Sequence, residues 1–309
     1  MALEVMSVMY ISPDLKLTPS NTWRRRALCV LVYLSSSVTL WATPSAPSSE
    51  RPPLMSSFSS GELSLTTGAI LGLGLLTLKG DDWLGPRGAS MGAPVEGSND
   101  LRFSRWASPD FDPKAQWLGG APDLLGYVAP ALTLTYYVGG SALSGGVGVG
   151  GARPHEALAF SEGLSWAMFS TTLLKHLVGR KRPYIARGER GELDATAVNM
   201  SESEQLLSFP SGHATAIAAT SFFLAADVSD ALVSGPLRSS GAVSRALLGR
   251  VLPYASAAGL SWLVMYSRIK DQRHWLSDTL TGGLIGMTSA LLSYHLHFDS
   301  YGEPYTQER

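Results

Sequence analysis

A single cysteine, Cys29, stands among 309 residues, so the chain can build neither an internal disulfide scaffold nor a cysteine-rich metal module. Charge is scarce as well. Asp, Glu, Lys and Arg supply 16% of the residues, against about 25% in an ordinary soluble protein, which points toward the membrane or the cell envelope. Neither sign dominates: 24 basic and 25 acidic residues leave a net charge of −1. No overall basic excess suggests nucleic acid as a partner, and no acidic excess suggests a solvating tail. Alternating strand patterns bounded by turn dipeptides are nearly absent, and Val and Ile are sparse, which disfavours a sheet-based fold. What is abundant is apolar or small. Hydrophobic residues make up 45% of the chain beside 32 Gly and 18 Pro, enough for a large core or several membrane spans and too much for disorder throughout.

Arg24, Arg25 and Arg26 precede an apolar run from Ala27 to Ala42, which a Thr, Pro, Ser and Glu stretch follows as far as Pro53. Basic, then apolar, then small and polar is the order of a secretory signal. The run is also short of the roughly 20 residues that a spanning helix needs. Residues 1–42 are therefore expected to be a signal peptide, cleaved near Ala42, or an N-terminal anchor, and residues 43–60 a disordered linker. Cys29 lies inside the apolar run and not at its end, so it reads as part of the signal and not as a lipidation site.

Beyond the linker, apolar stretches recur at 63–78, 121–139, 157–174, 213–226, 251–266 and 279–296, all rich in Gly, Ala, Ser, Thr and Leu. They predict six helices and an all-α bundle over 61–298, followed by a tail at 299–309. Several runs are short for a bilayer, and the third carries Glu162 in its middle. A membrane-embedded bundle and a membrane-associated one are both open. Gly282, Gly283 and Gly286 on the last helix would allow close backbone approach in either solvent. Residues 79–120 read as a long irregular connection. The glycine run at 140–151 reads as a flexible turn, since it lacks the Lys and Ser/Thr of a nucleotide-binding loop.

Three clusters at predicted helix ends carry the chemistry. In the first, an apolar helix ends in Lys175, His176, Arg180, Lys181 and Arg182 and is closed by Pro183. Cations there offset the C-terminal dipole or reach for a bilayer surface. The second is Phe209-Pro210-Ser211-Gly212-His213, directly ahead of a helix. A helix start offers free backbone N–H groups and a positive dipole, which suit an anion, and a histidine beside an anion can deliver a proton. The third runs from Ser267 and Arg268 to His274 and Asp278. If that stretch is helical, His274 and Asp278 share a face, and the carboxylate can hold one imidazole N–H while the other ring nitrogen stays free as a nucleophile.

Lys175 with Arg182–Pro183, then Pro210-Ser211-Gly212-His213, then Ser267–Arg268 with His274 and Asp278, resemble the three-part pattern of the type 2 phosphatidic acid phosphatase and vanadium-dependent haloperoxidase superfamily. The resemblance covers about residues 155–298. It implies an α-helical bundle and metal-independent hydrolysis of a phosphomonoester or pyrophosphate, with no cofactor. It further implies that His274 attacks phosphorus to form a phosphohistidine, that Asp278 orients it, and that His213 protonates the leaving oxygen and then activates water. Lys175, Arg182 and Arg268, with the Ser211 hydroxyl and the Gly212 N–H, would hold the phosphoryl oxygens. Such a division suits phosphoryl transfer, which depends chiefly on positioning and charge stabilisation. Arg180 and Lys181 are expected to be solvated or to face lipid headgroups, and His176 to be structural. His155, His295 and His297 carry no motif and form no convincing metal site with Asp299.

The expected partners are a phosphorylated lipid or small phosphoester and the membrane. Arginines at 238, 245 and 250 weakly place the 228–250 connection inside, and hence the active site on the extracytoplasmic side of an inner membrane or in the periplasm. Residues 184–209 hold two arginines against five carboxylates, and are expected to be either a lid that discourages highly anionic substrates or a solvated loop. Trp275 packs near the substrate or belongs to the core. Three other functions use the same residues or fewer: a lipid-linked phosphotransferase, a vanadate-dependent haloperoxidase, and a non-enzymatic protein that binds anionic lipid. Binding alone would require neither His213 and His274 nor Asp278.

Overall fold

Ser59 opens the first helix, α1 (Ser60–Trp83), by a reciprocal cap: the Glu62 N–H reaches Ser59 Oγ at 3.1 Å, and the Glu62 carboxylate accepts the Ser59 N–H at 2.6 Å. The computed structural model describes residues 58–84, 94–112, 116–143, 153–193, 202–300, 302 and 304. The expected signal or anchor and most of the expected linker lie outside the described residues. The end of that linker range is ordered by packing, because Phe58 is buried and stacks on His297 with ring centroids 4.1 Å apart.

Seven more helices follow among the described residues. They are α2 (Asn99–Ala107), α3 (Ala121–Leu143), α4 (Pro154–Val178), α5 (Pro183–Gly188), α6 (Gly212–Ser234), α7 (Leu252–Lys270) and α8 (Leu276–His297), with short turns at Trp117–Gly120, Glu202–Gln205 and Ala242–Ser244 and a π-helical turn at Arg245–Val251 ahead of α7. Five of the six predicted apolar runs lie within the long helices, the run at 251–266 begins one residue ahead of α7, and no named strand occurs among the described residues. The fold is all-α, as expected.

The region from 79 to 120 differs from its expectation. Residues 79–83 finish α1, and α2 occupies the middle of the supposed irregular connection. This helix is short and mostly polar, and it buries only Leu101, Ser104 and Ala107, a three-residue spacing that holds one face to the protein. A search for long apolar runs passes over such a segment.

Helix α6 is the centre of the bundle and packs on α3, α4, α7 and α8, while α1 lies outside against α4. Tyr137, Phe160, Phe223 and Tyr294 interlock there, with ring centroids 5.3 to 6.3 Å apart, and each such buried ring contributes about 2–3 kcal/mol. The α8 glycines set the closest approach. A Cβ at Gly282 would meet the Ser211 carbonyl, and one at Gly286 the Thr215 carbonyl, so α8 lies directly on the α6 backbone.

Two charged groups inside the bundle are partnered. Glu162, in the middle of α4, accepts from His297 at 2.6 Å, and Arg153 forks onto Asp227 at 2.8 and 2.6 Å at the end away from the α6 N-terminus. Among the described residues, three segments are long and apolar enough to cross a bilayer: Ser60–Gly80, Gly212–Ser234 and Ala242–Lys270. The second is mostly buried within the bundle, but only 28% of the first and 22% of the third are. Leu65, Leu71 and Leu75 on α1, and Leu260, Trp262 and Leu263 on α7, therefore face outward. Apolar surface on that scale suits association with a membrane.

Candidate active site

The three predicted clusters converge at one end of the bundle, where α4 and α7 finish and α6 and α8 begin. Helix α4 stops at Gly179, whose φ of 62° is left-handed and whose N–H returns to the Lys175 carbonyl at 3.1 Å. That stop turns Lys175 and the segment that follows toward the α6 N-terminus. The Leu207 carbonyl gathers the cations: Lys175 Nζ donates to it at 2.8 Å and Arg182 Nη2 at 3.5 Å. Arg182 is further fixed by the carbonyls of Glu204 at 2.8 Å and Arg273 at 2.9 Å. Burial, with the charges of Arg268 and Arg273 nearby, pulls its pKa down to about 10, which leaves it a cation at neutral pH.

Ser211 caps α6 and is fully buried, and its N–H donates to the Asp278 backbone carbonyl at 3.0 Å. Gly212 is the first residue of the helix, and a Cβ there would lie 3.8 Å from Lys175 Cε. Its backbone thus sits beside the lysine. His213 follows, held edge-on by Tyr127 with ring centroids 4.5 Å apart. Gly126 lets α3 come close enough to cover the histidine, since a Cβ at that position would lie 2.9 Å from His213 Cδ2.

His274 is 2% exposed and Asp278 fully buried, yet the expected bond between them is not formed. His274 Nδ1 lies 3.8 Å from Asp278 Oδ2 and 2.6 Å from the Ser208 carbonyl. The reason is the helix boundary. Helix α8 starts at Leu276 with Trp275 as its cap, so His274 precedes the helix and the four-residue spacing does not align the pair. Asp278 instead accepts the Trp275 N–H at 2.9 Å and the Ser208 hydroxyl at 2.5 Å. It touches the residue that holds His274, not His274 itself.

A carbonyl oxygen only accepts, so Nδ1 carries the imidazole proton and Nε2 keeps a lone pair. Nε2 faces Arg182 Nη1 at 3.4 Å. Burial, and then the charges of Arg182, Lys175 and Arg268, hold the ring well below the usual histidine range, against the opposing effect of the Ser208 bond. His274 is therefore neutral at physiological pH, the form that a nucleophile requires.

Arg268 is 5% exposed and ion-pairs with Asp123 of α3, while its Nε–H has no acceptor among the described residues. Asp123 was not among the candidate residues. Its only signal is an acidic residue at the start of an apolar run. Arg180 departs from expectation more sharply. Its side chain is only 11% exposed, and its Nη1 donates to Asp278 Oδ1 at 2.6 Å and to Ser277 Oγ at 2.7 Å while Nη2 donates to Asp100 at 2.7 Å. It is neither solvated nor free for lipid, because the buried Asp278 carboxylate requires a countercharge. Lys181 does face outward and pairs with Glu189 at 2.7 Å.

Trp275 belongs to the core, with Leu101 and Ala186 around it and its indole N–H on the Lys181 carbonyl at 2.8 Å. His176 is buried beside Gly80. Arg187 and Glu192, counted within the acidic loop, pair at 3.0 Å, and Glu192 also accepts from Arg105. That stretch of the loop packs on α2. Among the described residues, no three His, Cys, Asp or Glu side chains gather as a metal site.

Comparison with known proteins gives the family. The family model described as "PAP2 superfamily" matches residues 130–301. The chain belongs to the PAP2 superfamily. The class of activity that this family implies is phosphatase-type chemistry on phosphate esters. A PA-phosphatase related-family protein of Dictyostelium discoideum is 31% identical over 150 residues, which are 47% of this chain and 50% of that protein. The chain thus spans about half the length of the curated relative it matches. No solved structure matches it.

Proposed function

We propose that this PAP2-superfamily protein is a phosphatase that works through a phosphohistidine on His274. The observation that carries the reading is the Nδ1 bond to the Ser208 carbonyl, which leaves the Nε2 lone pair facing the cationic cluster. In the first half-reaction Nε2 attacks phosphorus, a P–N bond forms, and the bond to the leaving oxygen breaks as His213 supplies its proton. In the second, His213 takes a proton from water, the oxygen attacks phosphorus, and the P–N bond breaks to release phosphate and free His274. Lys175, Arg182 and Arg268 offset the charge on the equatorial oxygens, aided by the Gly212 N–H and the Ser211 hydroxyl. The unsatisfied Arg268 Nε–H is a donor that an incoming oxyanion would fill. Asp278 acts through Ser208.

A phosphorylated lipid is the substrate class we favour, because the outward faces of α1 and α7 are apolar and suit a protein that meets its substrate in a bilayer. The test is phosphate release by detergent-purified protein in EDTA, from phosphatidic acid, an isoprenyl pyrophosphate and a soluble aryl phosphate. We expect release that His274→Ala abolishes, and a phosphoenzyme that accumulates in His213→Ala. Release that persists in His274→Ala would refute the mechanism, and the ranking of the three substrates names the class.

A further inference from the structure

We infer that Asp100, on the short helix α2, is a positioning residue for the nucleophile, and this inference rests on the phosphohistidine reading above. Asp100 precedes the stretch 130–301 that the family model matches, and it does not touch His274. It reaches that residue through other side chains.

Asp100 binds the α8 N-terminus from outside. Its Oδ1 accepts the Ser277 N–H at 2.8 Å, and its Oδ2 accepts the Ser277 hydroxyl at 2.6 Å and Arg180 Nη2 at 2.7 Å. A carboxylate that takes the second backbone N–H of a helix satisfies an otherwise orphan donor and favours the positive end of the dipole. Here the carboxylate comes from a different helix. It fixes where α8 begins relative to α2.

The arginine carries this restraint inward. Arg180 spends Nη2 on Asp100 and Nη1 on Asp278, and its guanidinium lies over the Trp275 ring, 5.7 Å from the centroid. A planar fork held at both prongs and on one face has a single orientation. Asp278 is thereby fixed on one oxygen by Arg180, which leaves the other for the Ser208 hydroxyl and the Trp275 N–H. The Ser208 carbonyl then holds His274 Nδ1. Each link is a direct hydrogen bond between buried or part-buried groups, and the chain ends on the atom that sets the tautomer of the nucleophile.

Helix α2 supports the same loop a second time. Ser104 Oγ donates to Gln272 Oε1 at 2.7 Å, and Gln272 Nε2 donates back to the Ser104 carbonyl at 3.2 Å. Gln272 has a φ of 53°, a backbone conformation that costs about 1–3 kcal/mol in a residue other than glycine. Its side-chain bonds to α2 hold the turn that presents His274. The helix therefore grips both sides of the nucleophile, through Gln272 before it and through Asp100 and Ser277 after it.

The experiment uses the full chain in detergent with an aryl phosphate as substrate and inorganic phosphate as competitive inhibitor. Positioning acts on the attack and leaves the cationic pocket intact. Asp100→Asn should therefore lower kcat/KM about tenfold, with the inhibition constant of phosphate unchanged within about twofold. Asp100→Glu should recover part of the loss. On an Arg180→Gln background, where the relay is already cut, Asp100→Asn should cost less than about threefold. Should Asp100→Asn fail to fold, Arg180→Lys, which offers one nitrogen where the arginine offers two, is expected to give the same separation of kcat/KM from phosphate binding. Wild-type kcat/KM in whichever of these variants folds, an equal weakening of phosphate inhibition, or full additivity with Arg180→Gln would overturn the inference. A wild-type protein that releases no phosphate, or an active His274→Ala, would instead overturn the phosphatase reading and this inference with it.

Discussion

His274 Nδ1 is 2.6 Å from the Ser208 carbonyl and 3.8 Å from the Asp278 carboxylate, so a backbone oxygen, not the acid, sets the tautomer of the imidazole. The two partners are then separable by mutation. Ser208→Ala keeps the carbonyl and removes only the hydroxyl on Asp278, which should lower kcat about threefold to tenfold. Asp278→Ala leaves Arg180 buried beside an empty site, and breaking a buried pair costs about 3–5 kcal/mol. We expect its kcat to fall at least about a hundredfold, with a clear loss of thermal stability. A Ser208→Ala protein that keeps wild-type kcat in a steady-state assay would contradict the indirect role of Asp278.

The pH dependence follows from the same ring. Burial and the surrounding cations depress the His274 pKa below its ordinary 6.5, so the neutral, nucleophilic form persists well into the acid range and the acid limb of kcat/KM lies below 6.5. Arg182→Gln removes the largest charge that acts on it, and should move that limb upward. Both proteins are assayed on one substrate, so its own ionisation cancels. The sign for stability is the same: the unfolded state binds the proton more readily, so this contribution is present above pH 6.5 and is lost on acidification. An unmoved limb would show that another group controls the profile.

Asp123 gives a prediction of opposite direction from the other active-site residues. It ion-pairs with Arg268, so a phosphate dianion that binds Arg268 must compete with it. Asp123→Asn removes that competitor and a repelling charge. Inorganic phosphate should then inhibit about fivefold more tightly, the size expected of one charge about 4 Å away when water screens it fully. Weaker inhibition would mean that Asp123 holds Arg268 in place and does not compete for it.

Much of this was legible in the sequence, and what was not has a physical cause. Long apolar runs located α1, α3, α4, α6, α7 and α8, because burial over many turns writes itself into composition. The motif residues Lys175, Arg182, Ser211, Gly212, His213, Arg268, His274 and Asp278 converge at one end of the bundle, because their side chains advertise their chemistry. Ser208 and Leu207 contribute carbonyls, which every residue possesses, so no residue type marks them. Arg180 and Asp100 lie far apart in sequence and acquire meaning only through each other. The unmade bond between His274 and Asp278 was missed because a spacing of four predicts contact only inside a helix, and α8 begins two residues after His274.

The contact between α8 and α6 is the last test, since it joins stability to the site. A Cβ at Gly282 would meet the Ser211 carbonyl and would also lie 3.1 Å from Thr215 Oγ1 and 3.2 Å from the Ser211 nitrogen. Backbone cannot swing aside as a flexible side chain can. Gly282→Ala should therefore push α8 from α6, strain the Ser211 N–H bond to the Asp278 carbonyl, and cost about 1–3 kcal/mol. Activity should fall further than stability, because Ser211 and His274 sit on opposite sides of that contact. Gly259 on α7 is the matched control, for a Cβ there meets nothing within 4 Å, and Gly259→Ala should stabilise its helix by about 0.5–1 kcal/mol. Thermal unfolding and phosphate release, measured side by side on both variants, check the pair. A Gly282→Ala protein as stable and active as wild type would show that the two helices have room to separate without disturbing the site.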